Sequence, residues 1–424
     1  MKAKRLSKAQ RLSKAKRLDR ITTLPQTIIE TIISLLPFEE AARTSILSKE
    51  WRYKWTTIPK VEFEDLYHPT VKLPGEEIDQ NRHSRIEIAR RNMAMPFKLF
   101  YAIQQVLLLR QGPILEFTLS IYAHRSCFEI DQIILHLSRN HTVKKLKFHF
   151  KDFNSCMYCL PVSFFSLHHL TDLDLEFCGI YHKPIFNGFS SLTSLSLRRI
   201  GISQKSLLHL LSKCPSLKSF SLHIDEQEFA GIHEERPNIM ELLKCLPVIE
   251  HLTTWGYIFA SFVVDHSVPQ ALPTLLIHLK YFYFRETGFV DYDGLTFIAI
   301  LLKCSPNLEK MELEVDTDED SDKETLKLEE YSIIFENYSD VWLEHLNELK
   351  IQHFRNFNPE LELVKFILAR SPNLKKVILI TWINNKNEEL ELLNVLSHAA
   401  RASQVEIVVE NLWTESDSDD YEDV

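Results

Sequence analysis

Only 9 of the 424 residues are glycine, far below ordinary usage, and the shortage argues against several kinds of function. Glycine-rich phosphate cradles and tight β-hairpin turns both need φ > 0 positions that glycine enters at no steric cost. No P-loop, dinucleotide fingerprint, nucleophile elbow or HExxH is present, and the paired carboxylates and 18 histidines form no local constellation that specifies a reaction. The 7 cysteines are odd in number and scattered, which points to a reducing compartment rather than a disulfide framework. No apolar signal segment or membrane-spanning run stands out, so a soluble, intracellular chain without a membrane partner is expected. The net charge of −9 speaks against nucleic acid as the main partner.

Charge is unevenly placed. The first 18 residues carry only basic charges, in the phrases Arg5-Leu6-Ser7-Lys8-Ala9 and Arg11-Leu12-Ser13-Lys14-Ala15, and Glu415 to Val424 only acidic ones. Leu6, Leu12 and Leu18 stand six apart, which scatters them round a helix instead of lining one side. A nuclear-import patch, an organelle presequence and a solvated tail all remain open for this segment.

The stretch that organises the rest is Asp19 to Trp55. Thr22 or Thr23 caps a helix that Pro25 starts, and Ile28, Ile29, Ile32, Leu35 and Leu36 recur at helical spacing until Pro37. Ala41, Ala42, Ile46 and Leu47 continue the pattern through a second turn or helix; Ser48 caps a third, with Trp51 and Trp55 four apart on one face. Three such short helices have too little interior for so many large side chains. Hiding each exposed Ile or Leu is worth roughly 1.5–3 kcal/mol, so a partner is the natural cover.

Leu24-Pro25, Ile28-Ile29, Ile32, Leu35-Leu36-Pro37, Arg43-Thr44-Ser45, Leu47-Ser48-Lys49 and Trp51-Arg52 with Trp55 resemble an F-box, in the form found in the large plant F-box/FBD/LRR-repeat family. Gln26 stands where that family often has Asp, and Glu50 where it usually has a basic residue. The resemblance implies docking to a Skp1-type adaptor, and through it a cullin, with Leu24, Pro25, Ile28, Ile29, Ile32, Leu36, Leu47 and Trp51 as the adaptor-binding set. It also implies residence in the nucleus or cytoplasm.

Downstream, the pattern apolar-x-x-apolar-x-apolar recurs. It is read at Ile114/Phe117/Leu119, Val143/Leu146/Phe148, Leu170/Leu173/Leu175, Leu192/Leu195/Leu197, Leu217/Phe220/Leu222, Leu279/Phe282/Phe284, Leu308/Met311/Leu313, Leu346/Leu349/Ile351 and Leu374/Val377/Leu379, with a degenerate copy at Ile249/Leu252/Thr254. Starts mostly about 22 to 32 residues apart lie near the leucine-rich-repeat period, with irregular spacing that marks the repeats as imperfect. Before four of these copies an apolar residue stands four ahead of a proline: Leu211 and Pro215, Leu243 and Pro247, Leu302 and Pro306, Leu368 and Pro372. Each proline ends a helix and sends the chain extended into the next strand. Cys178, Cys214, Cys245 and Cys304 then read as packing residues.

The expected fold is therefore α/β: a three-helix F-box, then an irregular leucine-rich-repeat solenoid of strand-helix units. The organisation is a basic tail over 1–18, F-box 19–60, helical connector 61–112, repeats 113–335, FBD-like terminal repeats 336–410 and an acidic tail 411–424. Within the connector, Ile86 to Gln111 reads as helical, interrupted at Pro96, with Leu99, Ile103, Val106 and Leu107 on one side. His345 to Ile351, Glu360 to Leu368 and Pro372 to Val377 resemble the FBD module; a further helix over Glu388 to Ala400 and a strand over Val405 to Val409 follow.

Two local clusters invite metal chemistry and fail on spacing. Cys156 and Cys159 need two more zinc ligands, and only His168, His169 and Cys178 lie near. Asp316, Asp318, Asp320 and Asp322 alternate like a calcium loop, but Ser321 replaces the bend glycine and Lys327 the closing acid. No metal, cofactor or catalytic residue is expected. Partner contacts should instead come from strand side chains pointing away from the core: Asp172, Asp174, Glu176, Ser196, Arg198, Glu312 and Glu314, and above all Tyr281, Tyr283 and Arg285, residue types that anchor interfaces. The expected function is a non-enzymatic substrate receptor of an SCF-type ubiquitin ligase for a protein substrate. A ligand-sensing receptor and a repeat scaffold without ligase recruitment are the alternatives.

Overall fold

The computed structural model describes residues 24–64, 98–123, 127–151, 157–181, 188–223, 239–255, 276–287, 292–315, 334–381 and 386–412. Two compact units are distinguished, Met1–Leu170 and Thr171–Val424. The basic tail, Thr22, Thr23, Ile86 to Pro96, Cys156 and the Asp316 to Lys327 run lie outside the described residues, as do the last residues of the acidic tail. No described helix is long and apolar enough to cross a membrane.

In the first unit, Pro25 is the N-cap of α1 (Gln26–Ser34) and Pro37 the N-cap of α2 (Phe38–Arg43). Apolar side chains surround much of α1. Ile29 and Ile33, four apart, are buried, whereas Ile28, Ile32 and Leu35, at i, i+4 and i+7, are exposed. The helix therefore has an inner stripe and an outer one. The third helix expected after Ser48 does not form: Ser48 donates to Glu50, and a 3-10 turn at Lys54–Thr57 follows. Residues 51–57 hold two Trp, one Tyr and two Thr, all weak helix formers, and turns suffice to bury both Trp51 and Trp55.

The segment expected as a helical connector opens instead as strand β1 (Lys60–Glu64), followed in the described residues by helix α3 (98–109). Ile103 and Leu107 are buried on α3, as the pattern implied. Strand β1 pairs in parallel with β2 (Glu116–Tyr122); beyond helix α4 (Phe128–Asn140), β3 (Lys145–Lys151) adds to the other side of β2. Ile58, Val61 and Phe63 are buried in the spacing of the repeats, a copy that Pro59 disguises in the sequence. Ring contacts run from Trp55 to Phe38, Phe63, Phe117 and Phe148 at centroid separations of 5.9, 5.5, 6.0 and 6.2 Å. The helical cluster and the first strands thus share one core. Arg110 reinforces it, donating to the carbonyl oxygens of Trp55, Ile58 and Pro113. A short strand, β4 (Tyr158–Cys159), follows β3.

In the second unit the order is β5 (Asp172–Glu176), β6 (Cys178–Ile180), β7 (Ser194–Arg198), β8 (Gly201–Ile202), α5 (Gln204–Ser212), β9 (Ser219–His223), α6 (Ile239–Lys244), β10 (His251–Trp255), β11 (Tyr281–Thr287), α7 (Tyr292–Cys304), β12 (Lys310–Val315), β13 (Glu348–Phe354), α8 (Asn358–Arg370), β14 (Lys376–Thr381), α9 (Lys386–Ser397) and β15 (Glu406–Asn411). Strands β5, β7 and β9 to β15 form one parallel ladder in that order, and β6 pairs with β8. Every apolar triplet read from the sequence is buried, the degenerate Thr254 included. Helices α5, α6, α7 and α8 all stop two or three residues before the prolines that announced their ends.

A common turn feeds the strands. The N–H groups of Leu217, Ile249, Leu308 and Leu374 donate to the carbonyls of Cys214, Leu246, Ser305 and Ser371, three residues back, with proline second in each turn. The residue after proline then reaches back one repeat: Ser216, Asn307 and Asn373 donate their side chains to the carbonyls of Ser190, Ile277 and Glu344. Scarce glycine has a cost here, since Phe177 and Arg199, each just past a strand, adopt φ of 56° and 50° in the left-handed region that side chains disfavour. Cys178, Cys214 and Cys304 are buried packing residues as expected, but Cys245 is only partly covered.

Candidate functional site

Two surfaces carry the residues singled out in the sequence. The first is the outer side of the N-terminal helical cluster. Ile28 is 46% exposed and Leu47 68%, and Pro25, Ile32 and Leu36 are exposed as well, with Leu24 half-buried. Ile29 at 2% and Trp51 at 7% exposure face inward. Those two are interior residues, and a place for them on the docking face is corrected accordingly. The 100° step between neighbouring helix positions puts Ile29 inside and Ile28 outside. Leu35, Ile46 and Tyr53 are exposed too. Leu35, seven residues after Ile28, extends the outer stripe of α1, a step readable in the sequence.

Polar contacts brace this face from behind. Gln26 donates to Glu30 at 2.8 Å and accepts from Lys54, while Thr57 donates to Glu30 at 3.3 Å. The start of α1 is thereby tied to the 3-10 turn at Lys54–Thr57. Nothing in the cluster resembles a reaction centre: what it offers is apolar area held on a small frame.

The second surface is the outward face of the ladder in the second unit. Register sets its side chains in rows across the strands. One row runs Asp172, Ser194, Ser219, His251, Tyr281, Lys310 and Glu348. The next runs Asp174, Ser196, Ser221, Thr253, Tyr283, Glu312 and Lys350. Tyr281, Tyr283 and Arg285 do lie together, half-buried, yet their polar atoms are engaged by their own chain. Tyr281 donates to Glu312 at 2.8 Å, Tyr283 to Glu314 at 2.6 Å, and Arg285 Nε to Glu314 at 2.9 Å. Lys350 and Gln352 both donate to Glu312 at 2.7 Å. The Arg285 guanidinium also lies 4.8 Å from the Trp255 ring centre and 5.5 Å from that of Tyr283.

Electrostatics follow from those contacts. Burial raises both tyrosine phenols, and donation to a carboxylate raises them further. Burial alone would raise Glu312 and Glu314 as well; hydrogen bonds from Lys350 and Tyr281, and from Tyr283 and Arg285, outweigh it and leave both carboxyls below their ordinary value. The cluster is a closed, ionised network. Sequence reasoning named its tyrosines and arginine but missed Trp255, Lys350 and Gln352, which only strand register brings alongside. No group of three or more metal-ligating side chains occurs among the described residues.

With this geometry in view, comparison with known proteins is direct. Residues 21–62 match the F-box domain, and residues 132–254 match the leucine-rich repeats of FBD-associated F-box protein At5g56370. The chain is similar to plant F-box/FBD/LRR-repeat proteins. The Arabidopsis thaliana F-box/FBD/LRR-repeat protein At1g13570 is 28% identical, aligned over 91% of this chain and 96% of its own length. A second Arabidopsis protein of this description matches at 25% identity over 92% and 95% of the two chains. FBD-associated F-box protein At5g56370 of the same plant is 26% identical over 58% of this chain and 52% of its own. Among solved structures, the Leptospira interrogans LRR protein LIC12759 covers 71% of this chain and 85% of that chain at 14% identity; its TM-score of 0.26 carries no argument. The architecture is an F-box followed by leucine-rich repeats.

Proposed function

We propose that this chain is the substrate-recognition subunit of an SCF-type ubiquitin ligase. The F-box docks on a Skp1-type adaptor, and through it a cullin, while the repeat array holds a protein substrate. The observation that carries the reading is the outer stripe of α1 with Leu47: apolar side chains left in solvent beside an interior already filled by Ile29, Ile33, Phe38 and Trp55. Covering half-exposed Ile or Leu side chains returns about 1 kcal/mol each, which favours a protein partner of matching shape. The protein's own contribution is orientation and effective concentration, and the chemistry belongs to other subunits. The proposed compartments are nucleus and cytoplasm.

Co-purification with a Skp1-type adaptor tests this directly. Wild-type chain should capture the adaptor, and Ile32→Asp with Leu47→Asp should lose it while keeping the wild-type melting curve. Wild-type chain that captures no adaptor would overturn the reading.

A further inference from the structure

The ladder of the second unit ends at β15, and among the described residues no further strand pairs with it. Its backbone is used on one side only. Glu406 and Leu412 donate their N–H groups to the carbonyls of Lys375 and Thr381, and successive residues of a strand turn their N–H and C=O groups to opposite edges. Ile407 and Val409 therefore each turn a donor and an acceptor toward the open edge. The core is unfinished at the same place. Val377 and Leu379, their register partners on β14, are buried, whereas Ile407 and Val409 are only half-buried. Exposed Gln404 stands where the other triplets begin with an apolar residue.

An edge of this kind is a template for one more strand. Proline and a bulge, two devices that blunt such edges, are both missing from β15. On its outward face Glu406 and Glu410 flank Val408; both are exposed, and neither has an ion pair or side-chain hydrogen bond among the described residues. Lys376 stands opposite Glu406 in register without bonding to it. Those charges select the occupant. In a second copy, the antiparallel pairing that uses Ile407 and Val409 of both chains sets Glu406 against Glu410, and like charges directly opposite destabilise a strand pair. Residues 413–424 of the chain itself carry acidic charges only, so they would add more of the same sign.

We propose that the open edge of β15 takes an extended segment of a partner protein in which apolar residues alternate with lysine or arginine. Its backbone bonds to Ile407 and Val409, its apolar side chains complete the core beside them, and its cations lie beside Glu406 and Glu410. Main-chain hydrogen bonds supply the affinity of such an added strand, and its alternating side chains supply the specificity. The site goes beyond the ligase reading, since it draws on no residue of the F-box face.

Fluorescence anisotropy of the full chain tests it, with a capped peptide as long as β15 that alternates valine and lysine, and the same peptide with glutamate for lysine. The lysine peptide should bind at least about tenfold more tightly, the scale of one charge-assisted hydrogen bond. Val409→Pro removes an outward N–H and leaves the bonds to β14 in place; it should weaken binding by about the same factor with an unchanged melting curve. Should that variant fail to fold, the exposed pair decides: Glu406→Lys with Glu410→Lys should pass the preference to the glutamate peptide. Glu336→Lys with Glu344→Lys makes the same change of charge at other exposed positions and should leave the preference with lysine. Hydrogen exchange resolved to single amides should show Ile407 and Val409 unprotected in the free chain and protected once the peptide binds. Protection already present in the free chain would mean that a second copy or residues 413–424 hold the edge. That result, no preference for lysine, undiminished binding by folded Val409→Pro, binding without new protection, or an equal switch in the Glu336 and Glu344 variant would each overturn the proposal. Adaptor capture measured on the same samples reports separately on the ligase reading, so either idea can fail without the other.

Discussion

The carboxylate of Glu360 accepts the backbone N–H of Arg355 at 2.8 Å, from a buried position in the first turn of α8. Burial pushes this carboxyl up to about 7, against the opposing pull of the Arg355 N–H, its charge and the N–H groups of Asn356 and Phe357.

A pH dependence follows. The folded chain holds this proton more tightly than the unfolded chain, whose carboxyl titrates near 4.5. Between about pH 4.5 and 7 the native state binds the extra proton, so stability from this group is present below that window and is lost as pH rises through it. The difference across the window is roughly 3 kcal/mol at one pKa unit per 1.36 kcal/mol. Glu360→Gln should flatten the urea midpoint between pH 5 and 8 relative to wild type, and an unchanged slope would refute this.

Neighbouring isoleucines on α1 should behave oppositely. Ile29→Ala opens a cavity and should cost about 2–5 kcal/mol of stability, whereas Ile28→Ser should change stability by no more than about 0.5 kcal/mol. Chemical denaturation of the two variants separates them, and equal losses would mean that both faces of the helix are sealed.

Repeat-to-repeat tethers predict small, independent losses. Removing the Asn307 or Asn373 side-chain donor should cost about 1 kcal/mol each. Their turns lie two repeats apart, so the double alanine variant should show nearly the sum. A double variant no worse than either single one would mean that the tethers act as one unit.

Phe63 sits between Phe38 and Phe117 in the ring row of the first unit. Phe63→Ala should cost about 3–5 kcal/mol and should lower hydrogen-exchange protection in α2 and in β2 together. Protection lost from β2 alone would show that the F-box has a core of its own.

Much of the array was legible beforehand because a strand buried on one face writes its alternation into the chain, and proline marks where each helix must end. The copy at Ile58, Val61 and Phe63 is hidden in the sequence because Pro59 breaks its outline and the F-box pattern runs up to it. The expected helix after Ser48 failed for another reason: local spacing cannot tell an α-helix from turns when the residues are Trp and Thr, whose burial decides the outcome.

By itself, the amino-acid order determined the repeat period, the helix stops and the apolar character of α1. Which isoleucine faces inward, and which outward polar side chains are already spoken for, was decided by tertiary structure alone. Ile28 and Ile29 are chemically identical and differ only in the angle at which the helix meets its core. Tyr281 and Tyr283 find their carboxylate partners on β12, 31 residues further along the chain. Contacts of that kind exist only once the chain has closed on itself.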